Sequence, residues 1–211
     1  DTAAEVDTAN KTLLAYSVSI TNGQAALTLG LSVGDGAVSP LIPGGILELN
    51  NASGSALTVN AALADNTTAS SVAKFGTGNA LVAGPTLYTG ATEIHGGTLT
   101  FAGHDVTQRL AGAVSGSGTL VKTGTNLLDL AAANTGFSGP VHVQQGVLLV
   151  RHSSALGTTD AGTVIADGAT LDVGGSATMD SIKTGSEPVT VQGAGADGQG
   201  VIVNRSGVQQ I

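Results

Sequence analysis

The carboxylates and histidines are the side chains of this 211-residue sequence best suited to acid–base or metal chemistry. A general acid–base mechanism needs such groups within hydrogen-bond reach of one reacting atom. The 15 acids are instead dispersed, and those along the body of the chain include Asp35, Glu48, Asp65, Glu93, Asp105, Asp129, Asp160, Asp167, Asp172 and Asp180. Asp167 and Asp172 flank one predicted strand and could approach a cation, but a solvated turn and strand face is the stronger interpretation of that pair.

The histidines show no metal-binding pattern. There are four of them, at His95, His104, His142 and His152. No two have the i, i+4 spacing of a helical zinc site. Period-2 alternation directs His95 and His142 outward, and the repeat described below puts Glu93 one repeat from His142 and near Ile165. The chain also has no Cys and no Gly-x-Ser-x-Gly elbow. We therefore expect no catalytic, cofactor-binding or metal-binding residues, and no enzymatic activity.

One glycine-rich loop, 193–198, satisfies the Gly-x-Gly-x-x-Gly pattern of dinucleotide-binding proteins. In that motif a strand precedes the glycines and a helix follows them, so that the pyrophosphate meets a helix N-terminus. Here the next residues are Val201-Ile202-Val203, which are typical of a strand. We expect a loop without a nucleotide.

The composition narrows the possible partners. The net charge is −8, only 10% of residues are charged, 2% are aromatic and 32 are Gly. The basic residues are scattered, at Lys11, Lys74, Arg109, Lys122, Arg151, Lys183 and Arg205. Without a basic patch we expect no nucleic-acid partner. Since no stretch reaches the roughly 18 apolar residues of a membrane-spanning helix, we expect no membrane insertion by this segment.

A strand–turn–strand unit organises the stretch 139–175. One shift along the sequence carries Val141 onto Val164 and also carries Leu148 onto Leu171. Units that recur at about 20 to 28 residues are typical of one coil of a solenoid, in which neighbouring coils bury each other's apolar face.

A second shift, about twice as long, links this stretch to an earlier one. It carries Ile94 onto Val143 and Leu99 onto Leu148, with the turn glycine Gly97 falling on Gly146. We call it the long shift, and we interpret it as two successive coils of unequal length.

These periodicities predict an all-β, single-stranded parallel β-helix of about eight to ten coils, some 40–50 Å long. A β-sandwich of hairpins is the alternative, but hairpins give no reason for the shifts. Alternation predicts an inward series, Val141, Val143, Leu148, Val150, Leu171 and Val173. It predicts an outward series, His142, Gln144, Leu149 and Asp172.

The ends are predicted to differ. Residues 1–15 are polar and weakly patterned, so we assign them to an N-terminal capping segment and residues 16–211 to the β-helix. Residues 208–211 stop without a polar cap or Pro. An uncovered solenoid edge recruits other chains. We therefore expect possible end-to-end self-association through the open edges.

The segments 112–124, 134–139 and 146–150, followed by Ser153-Ser154-Ala155-Leu156-Gly157, resemble the autotransporter-associated β-strand repeat. That repeat occurs in passenger domains of Gram-negative autotransporters and other large bacterial surface proteins. The resemblance covers about 112–175, is fainter over 71–103, and implies a right-handed parallel β-helix. It carries no catalytic residue. Asp129 stands where the pattern prefers Thr, and alternation predicts that it is not buried.

The functional expectation is a non-enzymatic structural segment of a secreted or cell-surface protein of a Gram-negative bacterium, acting as a rigid spine or a self-associating rod. The alternative is an adhesin that contacts a host or cell-surface ligand through its long loops, 30–44, 64–71 and 184–200. A polysaccharide lyase is the weaker third possibility. Aromatic poverty counts against a glycan site built on ring stacking.

Overall fold

The computed structural model describes residues 4–9, 11–21, 23–106, 108–174 and 187–205. Within them it is an all-β solenoid without helix, formed by short parallel strands. No helix in this part of the chain has the length and apolar character needed to cross a lipid bilayer.

Three faces run along the solenoid. The first face is one nine-stranded sheet: β1 (Ala4–Val6), β4 (Leu27–Leu29), β7 (Leu57–Val59), β10 (Asn79–Val82), β13 (Thr98–Phe101), β16 (Thr119–Lys122), β19 (Val141–Val143), β21 (Thr163–Ile165) and β23 (Val189–Val191). The nine strands are separated by eight turns of the chain, which confirms the predicted solenoid. At about 4.8 Å per strand this face is about 38 Å long.

The second face consists of two sheets in line. Its first four strands are β2 (Thr12–Ala15), β5 (Ala37–Pro40), β8 (Ala62–Ala64) and β11 (Thr86–Leu87). The next five are β14 (Gln108–Leu110), β17 (Leu127–Leu130), β20 (Gly146–Val150), β22 (Ala169–Asp172) and β24 (Ile202–Val203). At the seam the Thr86 hydroxyl accepts from the Arg109 backbone N–H (2.5 Å) and donates to its carbonyl (2.9 Å), so a side chain replaces the backbone ladder there.

The third face closes the cross-section of the first six coils. It contains β3 (Ser17–Ile20), β6 (Ile46–Asn51), β9 (Ser71–Phe75), β12 (Thr92–Ile94), β15 (Val114–Gly116) and β18 (Gly136–Phe137). Each of these coils therefore has three strands, one more than the strand–turn–strand unit seen in the sequence.

The core is one continuous column of apolar side chains inside the three faces. On the first face Leu57, Ala80, Leu99, Leu120 and Val141 stack in register on successive coils, and all are buried. Contact of each side chain with its equivalents above and below removes it from water without any second layer of structure.

The predicted inward series is confirmed for Val141, Val143, Leu148, Val150 and Leu171, which are buried, while Val173 is half-buried against the core. In the outward series Gln144 is exposed, and His142 and Leu149 are half-buried. The prediction that Asp172 is solvated is wrong, since it is only 4% exposed.

The long shift does not correspond to the length of two whole coils. Ile94 lies on the third face and Leu99 on the first, whereas their matches Val143 and Leu148 lie on the first and second. Leu99 pairs with Leu120 and Leu120 with Val141, so two coils from Leu99 end at Val141 and not at Leu148. The shift therefore advances the chain by two coils and one further face, and repeats a corner instead of a coil.

The glycines shared by these corners are required by close backbone contact. Gly97 and Gly146 both have positive φ, 63° and 75°. A Cβ on Gly97 would lie 2.4 Å from the carbonyl oxygen of Gly78, and one on Gly146 would lie 2.4 Å from that of Gly124. Any side chain would push neighbouring coils apart, so Gly is needed at this corner position.

The first coil begins earlier than the sequence division suggested. Ala4–Val6 and Thr12–Ala15, both within the segment assigned to a cap, pair in parallel with Leu27–Leu29 and Ala37–Pro40 of the second coil. Solenoid structure is thus present from residue 4. The C-terminal residues 208–211 lie outside the described residues, as do Asp180 and Lys183.

The inward–outward assignment can be tested with two adjacent leucines. Leu148 is fully buried and Leu149, its neighbour on β20, is half-buried on the outer side. Leu148→Ala should lower the free energy of unfolding by about 2–5 kcal/mol, because it leaves a cavity in the column. The matched Leu149→Ala variant should lose about 1 kcal/mol or less. Urea denaturation measures both values, and equal losses would contradict the assignment.

Candidate functional site

Charged side chains follow one another along the second face, one on each of the last five described coils. They are Arg109, Asp129, Arg151, Asp172 and Arg205, and we call them the charge ladder. Arg109 pairs in register with Asp129, Asp129 with Leu149, and Leu149 with Asp172. Arg151 follows Leu149 on the same side of the strand, so it occupies the next outward position on its coil. The ladder thus alternates in sign along the solenoid axis.

Asp129 is held between two arginines. Nε of Arg151 donates to both carboxylate oxygens, at 2.8 and 2.9 Å, from the coil that follows. Nε of Arg109 lies 3.6 Å from Oδ2 on the coil that precedes. Although the Asp129 side chain faces outward, it is only 6% exposed. The prediction that this residue is not buried is therefore wrong, because the long arginine side chains on either side cover it.

Asp172 continues the ladder through backbone contacts. Its Oδ1 accepts from the N–H of Gly174 at 2.8 Å and from the N–H of Arg205 at 3.3 Å. The Arg205 guanidinium in turn forms an ion pair with Asp197. Burial of Asp172 thus depends on β24 of the next coil, which pairs beside it, and alternation within one coil could not reveal this.

The arginines of the ladder are more exposed to solvent than its aspartates. The side chains of Arg109, Arg151 and Arg205 are 52%, 39% and 40% exposed, whereas Asp129 and Asp172 are buried. The sequence pattern of scattered basic residues therefore conceals a row of guanidinium groups. The ladder can be detected in the sequence from the interval between its charged residues, because the first four recur at intervals of about one coil.

This geometry favours cohesion between coils. Both oxygens of Asp129 accept from Arg151, so the carboxylate is engaged in the contact between coils. The pairing joins three consecutive coils through side chains. Removing one partner of a buried ion pair leaves an uncompensated charge, which typically costs about 3–5 kcal/mol.

Two lysines are buried inside the solenoid. Lys74, on β9, donates from Nζ to the carbonyl oxygens of Phe75 (2.6 Å), Gly76 (3.0 Å) and Gly96 (3.2 Å). Lys122, on β16, repeats the arrangement with the carbonyls of Thr123 (2.6 Å), Gly124 (2.7 Å) and Gln145 (3.2 Å). In each case two acceptors belong to the corner after the lysine and the third belongs to the next coil.

The three acceptors match the three N–H donors of an ammonium group. A neutral amine has two N–H donors and a lone pair, which would face a carbonyl oxygen. The site is therefore shaped for the cation, even though burial lowers the pKa of Lys74 and of Lys122 to about 8. The burial of both lysines agrees with period-2 alternation. Lys74 lies two residues after Val72, and Lys122 two residues after Leu120, so each points to the same inward side of its strand.

The histidines lie on different faces. His95 stacks on Phe75 of the preceding coil, with ring centroids 4.6 Å apart, and its Nε2 lies 2.8 Å from Oε2 of Glu93. His142 is on the first face, in register with Val121 and Val164. Because Glu93 is on the third face, the predicted stacking of Glu93 near His142 and Ile165 is wrong.

The other residues considered from the sequence stay apart. Asp167 lies in an exposed turn, while Asp172 is engaged as described. Loop 193–198 packs on β22, where the Ala196 N–H donates to the Thr170 hydroxyl at 2.9 Å, and the strand β24 follows it. In residues 4–174 and 187–205, leaving aside the undescribed positions 10, 22 and 107, no three His, Asp or Glu side chains are grouped to hold a metal ion.

Comparison with protein-family models, with curated proteins and with solved structures finds no match for this chain.

The buried lysines predict a pH dependence of stability. With a pKa of about 8 in the folded state and 10.5 as the ordinary value, the unfolded chain binds more protons between these pH values. The free energy of unfolding should then rise with pH above 8, by at most about 1.4 kcal/mol per pH unit and per lysine. Above pH 10 the trend should reverse, since burial raises the pKa of Tyr88 and only the unfolded chain ionises.

Urea denaturation at about pH 7.5, 8.5 and 9.5 measures this dependence. The rise should shrink in Lys122→Met and disappear in the Lys74→Met/Lys122→Met double variant. Lys11→Met, which alters an exposed lysine, is the matched control and should keep the rise. A rise that persists undiminished in the double variant would contradict the assignment.

Proposed function

We propose that this chain is a non-enzymatic structural segment of a secreted or cell-surface bacterial protein, in which it acts as a rigid spine. The observation that carries the proposal is the unbroken nine-stranded first face, whose inward residues stack on every coil. Each coil is hydrogen-bonded to the next through strands and corners alike, as where Gln144 N–H donates to the Lys122 carbonyl at 2.8 Å. A shaft built in this way transmits force along its axis through many parallel hydrogen bonds.

The location and the parent class rest on the resemblance of 112–175 to the autotransporter-associated β-strand repeat. The solenoid fold agrees with that resemblance. An extracellular or outer-membrane surface location in a Gram-negative bacterium follows from the resemblance and is part of the proposal.

A second candidate, a binding module, is favoured by the loops of the second coil. Leu31, Val33, Leu41 and Ile42 are exposed there. Loop 64–71 packs against this region, since Asn66 Nδ2 donates to the Pro40 carbonyl at 2.9 Å. Exposed apolar groups on loops are typical of contact with another protein. This candidate predicts a ligand whose binding depends on the loops, whereas a spine tolerates their replacement.

End-to-end association is a further part of the proposal. A cavity of about 380 Å³ at the first coil is lined by Ala4, Ser19, Ile20 and residues 24–27. At the other end the strands β23 and β24 carry the exposed side chains of Val191 and Ile202. Apolar groups at both ends of a parallel stack support head-to-tail contact, which propagates when it does not close.

Rigidity can be measured between two spin labels on the first face. Thr28 and Thr190 lie in one outward column and are seven strand spacings apart, or about 34 Å. His142 is five spacings from Thr28, or about 24 Å. Because the chain has no Cys, Thr28→Cys/Thr190→Cys and Thr28→Cys/His142→Cys label only these sites. Pulsed electron paramagnetic resonance should give one narrow distribution for each pair, with means about 10 Å apart. Broad distributions, or distances that fail to scale, would reject the spine.

A further inference from the structure

We propose that the second face of the first four coils binds the same surface of a second copy of this chain, so that two chains form an antiparallel dimer about a two-fold axis. The proposal deepens the second candidate function, because it rests on the exposed loops of the second coil and names their partner. It differs from end-to-end association, since a two-fold contact closes on itself and a head-to-tail contact does not.

The first observation is the location of the exposed apolar side chains. Within the described residues, twelve large apolar side chains are exposed to solvent. Seven of them lie on the second face of the first four coils or in the corners that border it, and we call them the apolar patch. They are Leu14, Tyr16, Leu31, Val33, Leu41, Ile42 and Leu87. Scattered apolar side chains are ordinary on a protein surface, whereas a cluster is typical of contact with another protein.

The second observation is that the patch is continuous and that its strands carry no charge. Leu14 is in register with Ser39, and Leu87 with Ala64, so these four residues form one outward column on successive coils. Strands β2, β5, β8 and β11, which form this part of the face, contain no Asp, Glu, Lys, Arg or His. An apolar centre depleted of charge is the composition of homodimer interfaces.

The third observation is that hydrogen bonds order both borders of the patch. The Gly34 N–H donates to the Asn60 carbonyl at 2.7 Å, which holds loop 30–36 against the next coil. At the opposite border Asn66 Nδ2 donates to the Leu41 carbonyl at 3.3 Å. Side chains carried by ordered loops lose less conformational entropy when a partner buries them.

The area of the patch is sufficient for a dimer. Its seven side chains are between 42% and 58% exposed. With an accessible area on the order of 150–200 Å² for a large side chain, they present roughly 600 Å² together. The half-buried Ala37 and Ala64 lie between them. A surface of this size, repeated on the partner, reaches the roughly 1,200–2,000 Å² of total area that stable interfaces bury.

Charge favours a second copy as the occupant of this surface. Each chain has a net charge of −8, so two copies repel each other wherever their acidic surfaces meet. The strands of the patch bring no charges together, and two copies can therefore approach there. A partner selected by its positive charge would instead contact acidic residues, which these strands lack.

The charge ladder determines the orientation of the two copies. In a parallel dimer each coil faces the same coil of the partner, so Arg109 and Arg151 would meet their own equivalents and the ladder would be buried. Like charges that face each other oppose association, and burial of charged groups costs desolvation. In the antiparallel dimer, centred between the second and third coils, only the first four coils overlap and both ladders stay in solvent.

Sedimentation velocity tests the contact. At about 100 μM the chain should form a dimer of about twice its 20.4 kDa mass and no larger species, because interfaces of this size bind at micromolar concentration or below. Leu14→Glu/Leu87→Glu should weaken dimerisation at least about tenfold, since it places carboxylates in an apolar contact. The matched variant Leu127→Glu, on the same face beyond the patch, should stay within about twofold of the unaltered chain.

A further variant separates this contact from end-to-end association. Ile202→Glu adds a carboxylate to the last described coil, where the Ile202 side chain is exposed, so it opposes contact between ends. The dimer should persist in this variant. Circular dichroism checks that every variant keeps the β fold.

A spin-label distance tests the orientation. Leu127→Cys introduces a single Cys, on the sixth strand position of the second face. That strand lies three and a half spacings from the midpoint of the overlap, so nitroxides on the two copies should be about 34 Å apart in the antiparallel dimer. In a parallel dimer they would face each other within about 20 Å. Pulsed electron paramagnetic resonance on the dimer measures this distance.

A dimer that Leu14→Glu/Leu87→Glu weakens and Leu127→Glu does not, with labels about 34 Å apart, supports the proposal. An unaltered chain that stays monomeric at about 100 μM, equal weakening by Leu127→Glu, loss of the dimer in Ile202→Glu, or labels within about 20 Å would each overturn it. The spine is decided separately by the distances within one chain, and the second candidate function by a ligand that depends on the loops.

Discussion

The structure depends on one constraint, the parallel register between successive coils. In an isolated coil the backbone N–H and C=O groups of the strands have no partner, because the strands bond to the coils above and below. Unpaired buried backbone groups are costly, so every coil must present equivalent residues at equivalent positions. Variation in coil length is therefore confined to loops. The coil that leads from Leu27–Leu29 to Leu57–Val59 is longer than its neighbours, and it places its extra residues in the loops 30–36 and 41–45.

Electrostatics follows the same register. With only 10% of its residues charged, the chain has few ion pairs to distribute, and the two that involve the buried Asp129 link adjacent coils. Outward charges form the ladder on the second face. Inward charges, Lys74 and Lys122, bind carbonyl groups of two coils each, so a cation inside the core strengthens the same inter-coil contact as the apolar column around it. Since these ammonium groups are paired with dipoles and not with carboxylates, the cost of burying them shows in their lowered pKa.

The fold was predictable because a solenoid repeats a local pattern. Inward residues such as Leu148 and Leu171 recur after one coil, and alternation alone places them in the core. The third strand of the coil was missed in the stretch where the repeat is clearest, because Val114–Gly116 and Gly136–Phe137 are too short there to stand out from their loops. The long shift was misjudged because a corner between the third and first faces has the same residue pattern as one between the first and second.

The charge ladder was missed for a different reason. Burial of Asp129 and Asp172 depends on residues about one coil away or more, whereas alternation describes only one strand. Arginines that look scattered in sequence become neighbours once the coil length is known. The coil length is present in the sequence as the interval between equivalent apolar residues, and the charged residues of the ladder recur at about the same interval.

The corner shared by Gly97 and Gly146 affects how such a rod can evolve. Copies of a segment as long as the long shift do not align on one side, because each begins one face further around the axis. Amplifying this segment would therefore wind any surface feature it carries into a spiral, so that a longer rod would present the feature in every direction. Adding whole coils would instead extend a straight row on one side. The length of the segment that is duplicated thus decides whether a surface feature is repeated along one side of the rod or around all of its sides.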